Sequence, residues 1–165
     1  MPYFLLALFI FIFEFCIHLK LPHIGHDNSI WFDQLITGKW HFAQQGFFPF
    51  RFSPHLCAGA PTYGDPESLF YSLSQLLTIM GIQPWWAMQF SIMLAMIVGY
   101  YGWLQFSKKS LKLPESWAHV LSLTVIANGF YFMQLAVGHF QMHTMPLIGC
   151  FLALLFNNTV ENQTA

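Results

Sequence analysis

The sequence predicts an all-α fold: a polytopic membrane bundle of about four transmembrane helices, with a long outer loop that carries one or two interfacial helices. Three observations predict it. Only 8% of the 165 residues are charged and 56% are hydrophobic, whereas an ordinary soluble domain is about 25% charged. Apolar stretches recur at residues 3–19, 84–106, 116–137 and 139–156, and with their flanks each can cross a hydrocarbon core of about 30 Å. Three lysines, Lys108, Lys109 and Lys112, follow the second stretch directly. The formal net charge is -1 with no basic or acidic block, so no nucleic-acid partner is expected. Cys16, Cys57 and Cys150 are scattered without CxxC spacing, so neither a disulfide framework nor a zinc site follows.

The first span, Tyr3 to Leu19, is interrupted by Glu14. A carboxylate near the bilayer centre costs about 3 kcal/mol, but each Leu, Ile and Phe of the run returns roughly 0.3 to 0.6, so insertion wins. The run lacks a basic n-region and a small-residue cleavage site, so it is expected to be retained rather than removed as a signal peptide. Residues 20–83 contain no run that spans comfortably and are read as an extracytoplasmic loop. Within it a helix is predicted from Asn28 to Gln45, with Trp31, Leu35, Gly38 and Phe42 on one face, Asp33 solvated, and Gly46 ending the pattern. It is expected to rest on the membrane surface. Gly46 to Pro54 places aromatic residues around Arg51, which suits an ordered loop at headgroup level. Gly59 to Tyr71 holds glycines and prolines that force a turn at Asp65. An amphipathic helix is then predicted from Pro66 to Met80, with Asp65 as N-cap and Pro66 at the first helical position.

Pro84 to Phe106 reads as the second span, with Trp85 and Trp86 at one interface and Trp103 near the other. The lysines after it assign residues 107–115 to the cytoplasm by the positive-inside rule. Ser116 to Val137 reads as a third span. Residues 139–156 read as a fourth, shorter span, and both termini are then cytoplasmic.

Asp27, the stretch Gly59 to Tyr71, Asn128-Gly129, Gly138-His139 and Pro146-Leu147 together resemble, in order and spacing, the bacterial YfhO-like membrane proteins of the GT-C glycosyltransferase superfamily. The chain differs where it reads Asp65-Pro66-Glu67, Phe70-Tyr71-Ser72 and Arg51-Phe52-Ser53-Pro54; the family often has Asp-Pro-Gln, Phe-Tyr-Pro and Trp-Asn-Pro. Such enzymes usually have more spans, so the resemblance implies the N-terminal part of a longer chain. It implies a bacterial inner-membrane location and transfer of a sugar from a polyprenyl-phosphate donor on the outer membrane face, with an essential acid in the first outer loop. Asp27 is then the expected base, and Asp65 orients it or the acceptor. The pair would hold a divalent cation if one is used. Arg51 and His139 are the expected contacts to the donor phosphate, Arg51 having the better geometry. Glu14 is read either as a bundle-facing acid near that site or as a helix-pairing residue.

The residues admit a second reading as well: a non-catalytic membrane assembly or lipid-binding protein, or an inactive remnant of the same family. His23 with His26 and His139 with His143 are the closest histidine pairs, and neither has a third metal ligand at an obvious spacing. Ligation of one haem is excluded for His119 and His139, which would sit at opposite ends of one span, about 30 Å apart.

Overall fold

The computed structural model describes residues 28–46, 52–53, 60–61, 68–136 and 139–161. These residues are helical apart from turns and a minimal antiparallel ladder, in which β1 (Phe52–Ser53) pairs with β2 (Ala60–Pro61) so that Phe52 faces Pro61. The helices are α1 (Asn28–Gln45), α2 (Leu73–Ile79), α3 (Pro84–Lys109), α4 (Glu115–Ile126) and α5 (Gly129–Ala136). A 310 helix, Phe140–Leu147, then leads into α6 (Ile148–Glu161). Two stretches, Pro84–Lys109 and Glu115–Leu135, are long and apolar enough to cross a membrane, and Met142–Phe156 is a shorter apolar helix.

Helices α1, α2, α4 and α6 and the 310 helix pack on α3, and α5 packs on the 310 helix. Pro84 starts α3 at the first helical position, where the missing N–H costs nothing. Its inner stripe, Met88, Ile92, Met96, Tyr100 and Leu104, is buried at four-residue spacing in one apolar core with Trp31 and Leu35 of α1, Leu123 and Ile126 of α4, and Tyr131 of α5. Its outer stripe, Trp86, Phe90, Leu94, Val98 and Tyr101, is exposed. Against α6 and the 310 helix the backbones approach closely. A methyl group on Gly99 would lie 2.5 Å from Pro146 Cβ, and one on Gly102 would lie 2.4 Å from the Cys150 nitrogen. Small residues permit this contact as they do between transmembrane helices.

The predicted face of α1 is the buried one: Trp31, Leu35 and Gly38 are buried, Phe42 is half-buried and Asp33 is exposed. The helix ends where expected. Gly46 takes φ +66° and donates its N–H to Phe42 O at 2.9 Å, a left-handed helix stop that glycine adopts without a Cβ clash. Its packing is not that of an isolated surface helix, because Gln75 of α2 donates through Nε2 to Leu35 O at 3.1 Å and Gln34 Oε1 accepts the Leu69 N–H at 3.3 Å.

Three expectations about helix bounds are corrected. The helix expected from Pro66 begins at Leu73, because Ser72 caps it by accepting the Gln75 N–H at 3.1 Å; Asp65 and Pro66 lie outside the described residues. The helix expected without a break from Ser116 to Val137 is two helices, α4 and α5, interrupted at Ala127-Asn128. The first half of the stretch expected as a helix from residue 139 is 310 in character, with Pro146 inside it. Proline removes an N–H that an α-helical turn would use.

Candidate functional site

The short helix α2 buries its polar side. Ser74, Gln75 and Thr78 are at most 1% exposed, whereas Leu73, Leu76 and Met80 are exposed, Met80 at 71%. The buried hydroxyls are partnered: Ser74 Oγ donates to Ser91 Oγ at 2.8 Å, Ser91 Oγ donates to Ala87 O at 2.9 Å, and Thr78 Oγ1 donates to Ser74 O at 2.8 Å, whereas Gln75 Oε1 is buried with no partner among the described residues. Ser107, Ser122 and Thr124 likewise return their hydroxyls to the carbonyl four residues earlier, the arrangement by which hydroxyl side chains are tolerated inside apolar helices. The Ser74–Ser91 bond seats the start of α2 seven residues into α3, about 10 Å along its axis at 1.5 Å per residue.

A groove of about 320 Å³ opens at that level between α2, α3 and the 310 helix, within the size range of ligand pockets at about 300–1,000 Å³. Ser72 and Leu73 form one wall, Leu94, Ala95 and Val98 the floor, and His143, Thr144 and Leu147 the other wall. Leu94 and Val98 are themselves exposed, so the groove opens on the outer apolar stripe of α3. Beside it a smaller hollow of about 190 Å³ is lined by Phe70, Tyr71 and Leu76 and shares Ser72 and Leu73 with it. Among the described residues no Lys, Arg, Asp or Glu lines the larger groove.

His143 is the one ring with a polar edge in that lining. Its Nδ1 lies 2.8 Å from Phe140 O, and since a carbonyl only accepts, Nδ1 carries the proton. The ring stacks on Phe140 with centroids 4.4 Å apart, and the backbone is held by Tyr131, whose hydroxyl donates to His143 O at 3.3 Å. Three contacts therefore fix this side chain. A second polar chain joins α3 and α4 at their connected ends: Tyr100 OH lies 2.5 Å from His119 Nδ1, His119 Nε2 lies 3.8 Å from Glu115, and Glu115 pairs with Lys108 at 3.4 Å. The carboxylate is 72% exposed, so these pairs contribute little to stability.

Of the site residues expected from the sequence, only His139 is placed. It is half-buried at the start of the 310 helix; its Nδ1 is bonded to Gln134 Oε1 and its N–H donates to Gln134 O at 2.9 Å. Asp27, Asp65, Arg51 and Glu14 lie outside the described residues. Among the described residues no group of three or more His, Cys, Asp or Glu could hold a metal ion. Sequence reasoning did not single out Ser72, Ser91, His143 or Thr144 as groove residues. A signal for the last two was present, since a polar His-Thr pair inside an otherwise apolar stretch is a functional candidate wherever that stretch lies in a membrane. Comparison with family models, with curated proteins and with solved structures finds no match.

Proposed function

We propose that the chain is a multi-pass membrane protein that binds the chain of a lipid substrate in the groove over α3, and that it serves glycosyl transfer from a polyprenyl-phosphate donor at the outer membrane face. The observation that carries this reading is the groove's position. Two segments of the GT-C resemblance, Phe70-Tyr71 and Pro146-Leu147, are far apart in sequence, yet Leu147 lines the groove and Tyr71 adjoins Ser72 at its opposite wall. The reversed face of α2 supports membrane embedding. Polar side chains inward and leucines outward are unfavourable against water and favourable against lipid, where exposed apolar surface has no cost and unpaired polar groups cost several kcal/mol. The two apolar stretches Pro84–Lys109 and Glu115–Leu135 are then spans.

In this reading the groove holds the chain and does no chemistry. Asp27 is the base that takes the acceptor hydroxyl proton, and Asp65 orients it. The test is turnover of a labelled polyprenyl-phosphate sugar by the chain in lipid bilayers. Ala95→Phe fills the groove floor and is expected to raise the KM of the lipid that occupies the groove with kcat unchanged, because it removes binding shared by ground and transition states. Asp27→Asn is expected to abolish transfer with insertion intact. An unchanged KM in the first variant would remove the groove from the function, and wild-type turnover in the second would remove Asp27.

A further inference from the structure

We propose that the groove selects a lipid that ends in a neutral hydroxyl, accepted by Nε2 of His143, and not one that ends in a phosphate. The inference rests on the groove reading above and assigns its ligand. With Nδ1 committed to Phe140 O, the neutral ring presents Nε2 as an acceptor. Among the described residues no carboxylate pairs with His143 and no cation lines the groove. A phosphate or carboxylate would bring lone pairs to an acceptor and an uncompensated charge to an apolar wall, which is costly. A hydroxyl brings the donor that Nε2 lacks.

Of the three hydroxyls in the lining, Thr144 is exposed and can both donate and accept, while the other two already serve the protein. Ser91 donates to Ala87 O and accepts from Ser74, and Ser72 Oγ accepts the Gln75 N–H. The acceptor is also rigid: stacking on Phe140, the Nδ1 bond and the Tyr131 bond to the backbone hold the imidazole before a ligand arrives. Preorganisation of this kind lowers the entropic cost of binding. The chain of the ligand then runs over Ala95 toward the open flank at Leu94 and Val98, where it meets lipid tails. Within the proposed transfer this makes the occupant an acceptor alcohol at rest, whose hydroxyl must leave Nε2 for Asp27 before its proton is taken, and the phosphate-bearing donor binds elsewhere.

Three amphiphiles with one chain separate the possibilities: farnesol, its methyl ether and farnesyl phosphate, each titrated against the purified chain in nanodiscs and read by native mass spectrometry. Farnesol is expected to bind about tenfold more tightly than the ether, the usual worth of one hydrogen bond, with the phosphate no tighter than the ether. His143→Phe keeps the ring on Phe140 and removes Nε2, so it should bring the alcohol-to-ether ratio to about one with ether affinity unchanged. The wild-type comparison needs no variant and stands if the Phe protein does not fold. Equal binding of alcohol and ether, or tightest binding of the phosphate, would overturn the hydroxyl assignment and leave the groove as a lipid site. Binding of none of the three would overturn both.

Discussion

At Asn128 one amide serves backbone on both sides of a helix break: Nδ2 donates to Val125 O at the end of α4, and Oδ1 accepts the Tyr131 N–H at 2.8 Å at the start of α5. Every helix end leaves such groups without intrahelical partners, and in an apolar setting water is not at hand to take them. Asn128→Ala removes both bonds and is expected to destabilise the fold by about 1–3 kcal/mol, above a water-exposed N-cap loss of roughly 1. Asn128→Ser, which can keep the cap but not the donor to Val125, should fall between. Thermal unfolding in detergent, followed through the tryptophans, would order the three proteins. An alanine variant as stable as the wild type would mean that the break is held by packing alone. The consequence reaches the groove, because Tyr131 follows the cap directly and anchors His143.

Among the elements, α1 and α3 were legible in the sequence because their signals are local. Gly46 has no side chain to resist a left-handed turn, Pro84 suits a first helical position, and a stripe such as Trp31-Leu35-Gly38 marks a face without reference to the rest of the fold. The start of α2 and the break in Glu115–Leu135 were not. At α2 the pair Ser72 and Gln75, at capping-box spacing, competed with the more conspicuous Asp65-Pro66. At Asn128 a hydropathy average runs across the break unchanged. Amphipathicity also leaves open which face is inside: the leucines of α2 point out because α1 and α3 offer Leu35 O and Ser91 Oγ to its polar side. That reversal can be tested directly. Leu76 is 46% exposed, and Leu76→Cys in intact membranes should resist a charged maleimide if lipid covers it, whereas Leu111→Cys, in the turn between α3 and α4, should react once the membrane is opened. Rapid labelling at 76 would place α2 in water and withdraw its support for embedding.

On the scale of the whole molecule, the candidate site was legible only as neighbourhoods. Phe70-Tyr71 and Pro146-Leu147 pointed to segments, but the groove between them needs α3 as its floor, and no local pattern pairs Ser72 with His143 across that floor. Orientation follows from charge. The 26 residues of α3 extend about 39 Å at 1.5 Å per residue, longer than a core of about 30 Å, so both ends emerge. Lys108 and Lys109 lie in its last turn and Lys112 just beyond, where cations also complement the helix dipole. In the proposed membrane reading the positive-inside rule makes that end the cytoplasmic one and the Gly81–Gln83 end the outer one. Ser91 then lies nearer the outer end, and on the same reading the groove is expected to open in the outer half of the bilayer, on the side of the proposed outer-face site. Reporter fusions decide this: a fusion after Leu111 should report cytoplasm and one after Gly81 the outside. Replacing Lys108, Lys109 and Lys112 together with Gln should weaken that bias and give mixed signals at both points. The opposite pair of signals in the wild-type chain would turn the bundle over, carry the groove and the segment bearing Asp27 and Asp65 to the cytoplasmic half, and exclude a donor presented at the outer face.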